Sequence, residues 1–160
     1  MSATTLITSM EKLLKLHRSL LDLTTKKADI VKKGDMDALN QLIKDEQKHL
    51  TAISMIEKER LAATVAIVPE LEQPTVSDCL EKVEESEKQK LEAVRDELLE
   101  TVKQIQEKNE HNQQLIYQSM QFVNFSLSLV APQPESFTYG PPAGHKKTAP
   151  QSSGMFNSKA

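Results

Sequence analysis

Apolar residues recur at steps of three and four along most of the first 130 positions, the periodicity of helices with one buried side. The first stretch predicts a helix over Thr4–Lys33, with Leu6, Ile7, Met10, Leu13, Leu14, Leu20, Leu21, Ala28 and Val31 on its inner side. Leu16, Leu23 and Ile30 widen that side to roughly half the circumference. Lys32 and Lys33 suit the negative end of the helix dipole, Gly34 the left-handed cap, and Asp35 the N-cap of a second helix. That helix is expected over 36–68, with a stripe of Leu39, Leu42, Ile43, Leu50, Ile53, Ile56 and Leu61, and Pro69 stops it. The connection is short, so the two helices should be antiparallel neighbours.

Residues 69–74 read as a linker, after which Thr75 or Ser77 can cap a further helix with Val76, Leu80 and Val83 as its apolar contacts. The spacing fails between Glu84 and Lys88. One bent helix and a short helix followed by a long one both fit. Regular steps then resume through Leu91, Val94, Leu98, Val102, Ile105, Asn109, Asn112, Ile116, Met120, Val123, Leu127 and Val130. Between Leu91 and Val130 a helix is about 60 Å long at 1.5 Å per residue, against about 45 Å for each earlier helix. The expected fold is all-α: an antiparallel helical hairpin packed on a long C-terminal helix, forming a three-helix coiled-coil-like bundle.

No Asp, Glu, Lys or Arg occurs between Glu110 and Glu135. In that stretch Leu115, Phe122 and Leu129, with Phe125 nearby, form a second apolar row. It lies roughly opposite the row of Ile116, Met120, Val123, Leu127 and Val130 at about 100° per residue. A bundle helix needs one apolar side. Two sides imply a further surface to cover, such as a helix of another molecule.

Composition sharpens this picture. Gly and Pro concentrate after residue 130, leaving a helix-friendly domain over 1–130 and a Pro/Gly-rich tail over 131–160 expected to be disordered. The net charge of −3 supplies no broad basic field for nucleic acid. Residues 1–10 lack a secretory signal, and Gln118, Ser119, Gln121, Asn124, Ser126 and Ser128 break up any membrane span. With Cys79 alone, no intrachain disulfide forms. A soluble, reduced, cytoplasmic setting is expected, without membrane insertion. Phe137, Tyr139, Met155 and Phe156 in the tail suggest short docking motifs, with plain tolerance of exposed apolar residues as the alternative.

Chemistry-bearing constellations are missing from the sequence. It has no phosphate loop, no metal-spaced Cys/His cluster and no nucleophile elbow, so neither enzyme activity, metal nor cofactor is expected. His17, His49, His111 and His145 are scattered, and His17 reads as a packed side chain within the first helix. Cys79 reads as a half-buried structural thiol. The charged run from Glu84 to Glu110 reads as a solvated face, the alternative being an acidic flank that repels wrong partners. Asn109 and Asn112 fall on the apolar stripe. They either fix register or mark where that stripe reaches solvent.

The Lys33-Gly34-Asp35 turn, the Asn109-x-x-Asn112 element followed by Leu115-Ile116, and a loose tail resemble the FlgN family. These are bacterial flagellar type III export chaperones for hook–filament junction proteins. Tyr139-Gly140, with Gly144 beyond, is similar to the family's Tyr-Gly element. Met155 and Phe156 open an ending, 155–160, like that of Gram-positive members. The resemblance covers nearly the whole chain and implies a chaperone without catalysis. Its expected clients are the C-terminal helical segments of FlgK and FlgL, kept from early assembly and delivered to the export gate protein FlhA. It points client binding to the charge-free stretch and gate docking to Tyr139 and Gly140; Pro141 and Pro142 depart from the family pattern there. Independently, Leu115, Phe122, Phe125 and Leu129 have the spacing of anchors that line a groove for a client helix. The competing reading is a self-associating structural coiled-coil protein. A monomer or weak dimer is expected for the chaperone.

Overall fold

The computed structural model describes residues 2–130, so the expected tail, including Tyr139, Gly140, Met155, Phe156 and His145, lies outside the described residues. All regular structure among the described residues is helical: α1 (Ser2–Lys33), α2 (Met36–Ile67), α3 (Val76–Cys79) and α4 (Glu85–Val130). The chain divides into two compact units, Met1–Asn109 and Glu110–Ala160, with the boundary inside α4.

In the first unit the α1–α2 turn forms as its residues dictate. Gly34 adopts φ +70°, the left-handed conformation that a residue with a Cβ resists. Its amide donates to the Val31 carbonyl at 3.1 Å. Asp35 caps α2 by accepting from the Ala38 amide at 3.0 Å. Antiparallel pairing follows: Lys12 meets Glu59 at 3.6 Å, and Lys27 meets Glu46 at 3.0 Å further along. Ser19 Oγ donates to His49 Nε2 at 2.7 Å, because the other ring nitrogen donates to the Asp45 carbonyl. The expected packed histidine, His17, is half-buried and donates from Nδ1 to the Leu13 carbonyl at 2.7 Å.

The core brings all four helices together. Leu6, Met10, Leu13 and Leu14 of α1 pack with Ala63 near the end of α2, Val76 and Cys79 of α3, and Leu91 and Val94 of α4; Val68 and Leu80 close the cluster. An ion pair from Arg18 to Glu97 at 2.7 Å ties the outer surface of α1 to α4. The break before α4 lies at Leu80–Glu84, between a four-residue helix and the long one. Thr75 rather than Ser77 caps α3. Thr75 and Asp78 exchange side chain-to-backbone hydrogen bonds as a capping box.

Two expectations are corrected here. Ile43, Leu50 and Leu61 are exposed, whereas the true core contacts near the end of α2 include Ala63 and Thr64. That end is the part of α2 covered by α3, and Thr64 fits because its hydroxyl donates to the Leu61 carbonyl at 2.7 Å. Cys79 is entirely buried, not half-buried, because α3 turns its only inward face into the core.

Candidate docking surface on the last helix

No glycine or proline interrupts α4, which runs unbroken for 46 residues. Its portion up to Asn109 is anchored by buried Leu91, Val94, Thr101 and Ile105. Of the two asparagines on the stripe, Asn109 is exposed and Asn112 is buried.

Within the second unit the described residues are 110–130. Leu115, Ile116 and Tyr117 are half-buried. Beyond them both apolar rows reach the surface: Phe122 is 70% exposed, Phe125 61% and Leu129 70% on one row, and Met120, Val123 and Leu127 are exposed on the other. Three of the four expected anchors thus share an open helix side, with Leu115 at its half-covered end. Hydrogen bonds within the stretch are local. Gln121 Nε2 donates to Tyr117 Oη at 2.9 Å, and Ser128 Oγ donates to the Phe125 carbonyl at 2.7 Å. Such bonds satisfy the polar groups without placing charge beside the rings. Tyr117 was not singled out by the apolar stepping, although its four-residue spacing to Gln121 is the signal that finds it.

The first unit holds a concavity of about 440 Å³ lined in part by Met10, Leu13, Ile53 and Leu98. Its cations are already engaged. Arg60 Nε donates to both oxygens of Glu57 at 2.8–2.9 Å, while Arg95 is held by Asp96 and by Ser77 Oγ at 3.1 Å. The thiol of Cys79 points at the Thr64 carbonyl, 3.9 Å away. Burial pushes that thiol's pKa up, Asp78 adds to the rise and Arg60 partly opposes it. That is the reverse of what a nucleophile needs. Among the described residues no group of His, Cys, Asp and Glu is placed to hold a metal ion. No described helix is long and apolar enough to cross a membrane.

A sequence model described as FlgN protein matches residues 1–147. The uncharacterized protein YvyG of Bacillus subtilis (strain 168) is 33% identical over 162 residues, spanning the whole of both chains. No solved structure matches. FlgN proteins are flagellar export chaperones, a chaperone family rather than an enzyme family. A helical chain whose last described segment exposes Phe122, Phe125 and Leu129, matched over nearly its full length by that sequence model, belongs to the FlgN family.

Proposed function

We propose that this protein is a cytoplasmic chaperone that receives the C-terminal helical segments of the hook-associated proteins FlgK and FlgL on α4. There it keeps them from assembling early and carries them to the export gate protein FlhA. The observation that carries this reading is the exposure of Phe122, Phe125 and Leu129 on one side of a helix segment without charged residues. An amphipathic client helix needs such a row of anchors at steps of three and four. Covering the three exposed side chains contributes about 4.5–9 kcal/mol gross, at 1.5–3 per large apolar side chain. Association entropy and side-chain ordering offset much of that. The complex is therefore tight enough to form and loose enough to release.

Tyr139 and Gly140 are the proposed gate-docking element, and Met155 and Phe156 a terminal motif. A double substitution, Phe122→Asp with Leu129→Asp, should weaken binding of a purified FlgK or FlgL C-terminal segment about 30-fold or more. Calorimetry, with circular dichroism to verify the fold, reads that change. Full affinity in a folded double variant removes this surface from the proposal. For Tyr139→Ala, binding to FlhA should fall while client binding stays; the reverse pattern refutes the division of labour.

A further inference from the structure

Beyond Asn112 the last helix lacks the cover that holds its earlier part. Leu91, Val94, Thr101 and Ile105 are buried, whereas no residue from 113 to 129 is, and only Leu115, Ile116, Tyr117, Asn124 and Ser126 are even half-buried there. Helices in proteins owe most of their stability to packing of an apolar side rather than to propensity. Both apolar rows of this stretch stand open, so that source of stability is missing from it.

The segment's own sequence does not replace it. Without charged residues, neighbouring turns form no ion pairs, and the last turn holds no basic residue to meet the negative end of the dipole. Ser119, Val123, Asn124, Ser126 and Ser128 rank low in helix propensity, and the Ser128 hydroxyl bonds back to the Phe125 carbonyl. Adding such residues to a helix one at a time is close to neutral in free energy. The anchored part of α4 removes the cost of nucleation, so the segment begins as helix and frays with distance from that anchor.

We infer that residues 113–129 exchange between helix and frayed chain in the unbound protein, and that a client helix completes the fold by covering the apolar rows. The inference rests on the client surface proposed above and adds that capture there is coupled to folding. Ordering the receiving helix offsets part of the gross gain of contact, so the apparent affinity falls with the folded fraction of the free protein. Release is helped by the same term. An unoccupied chaperone also avoids presenting its rows as one continuous apolar strip.

Amide hydrogen exchange of the full chain, read residue by residue by NMR, tests the fraying without a client. Amides from 120 to 129 should exchange within about tenfold of the unstructured rate, and those from 91 to 105 at least about a hundredfold more slowly. Comparable protection of the two stretches overturns the inference. With a saturating FlgL C-terminal segment, exchange over 120–129 should slow at least about tenfold. Binding that leaves it unchanged overturns the inference as well. Gln121 supplies a second test, being exposed on the side away from both rows, where it donates to Tyr117. Gln121→Ala removes that bond and keeps a good helix former, whereas Gln121→Gly removes it and lowers propensity. The Gly variant should bind the client segment about two- to fivefold more weakly than the Ala variant. Equal affinity overturns the coupling. A segment that does not bind at all removes the client reading and the coupling with it, while exchange in the free chain separately decides the fraying.

Discussion

Gly34 is the residue on which the hairpin turns. No heavy atom lies within 4 Å of the place its Cβ would occupy, so space is not the constraint; the positive φ is. Gly34→Ala should therefore cost about 1–2 kcal/mol by chemical denaturation, and Gly34→Asn less, because Asn tolerates the left-handed region. Cys79 gives a second residue-level expectation. Its raised pKa and complete burial should leave it unreactive toward a thiol reagent at pH 8 in the native state. Full labelling on unfolding, and none before, is the outcome to look for. Asp78 gives a third. The Thr75 amide, and then the Thr75 hydroxyl, hold its carboxyl below the ordinary value of 3.8. A depressed folded pKa means that the cap's contribution is complete above that ordinary value and is lost as pH falls through the lower folded one. Amide exchange at the start of α3 should rise in acid below about pH 4, and Asp78→Asn should abolish that dependence.

At the scale of the element, the stepping of apolar residues located α1 and α2 to within two residues and the end of α4 at Val130, because long amphipathic helices repeat their signal many times; α4 starts at Glu85, six residues before the regular steps begin at Leu91. It misjudged which side of α2 is covered. The apolar arc of α2 is wider than its contacts, and periodicity counts apolar residues without knowing how many neighbours a helix has. Leu50 and Leu42 look alike in sequence, yet only Leu42 is buried. The placement of Ala63 and Thr64 in the core depends on α3 folding over them, a long-range contact with no local signature. On α4 the apolar stripe likewise gave position but not cover. Leu91 and Val123 both satisfy it, yet Leu91 is buried and Val123 exposed, as is Phe122 on the second row. Leu91→Ala should destabilise the protein by about 2–5 kcal/mol. Phe122→Ala should stay within about 0.5 kcal/mol, as an exposed substitution does. Comparable losses at the two sites would mean that Phe122 is covered in solution.

For the molecule as a whole, the chemistry of the proposed client surface was more legible than its geometry. A gap in charge from Glu110 to Glu135 is visible in the sequence, whereas the openness of the anchors it contains required coordinates. The absence of charge also makes a whole-protein prediction. Raising salt from about 0.1 to 0.5 M should change client affinity by less than about threefold, since screening acts on charges the surface lacks. A steep salt dependence would move the binding site to the charged part of α4.

Several polar core positions are self-sufficient. Ser9 donates to the Thr5 carbonyl and Thr101 to the Glu97 carbonyl, each at 2.8 Å within its own helix. A hydroxyl that settles its hydrogen bond one turn back asks nothing of the helix across from it. Ala, Cys or the other hydroxyl residue can replace it with no compensating change elsewhere. Neutral drift at such sites meets little resistance.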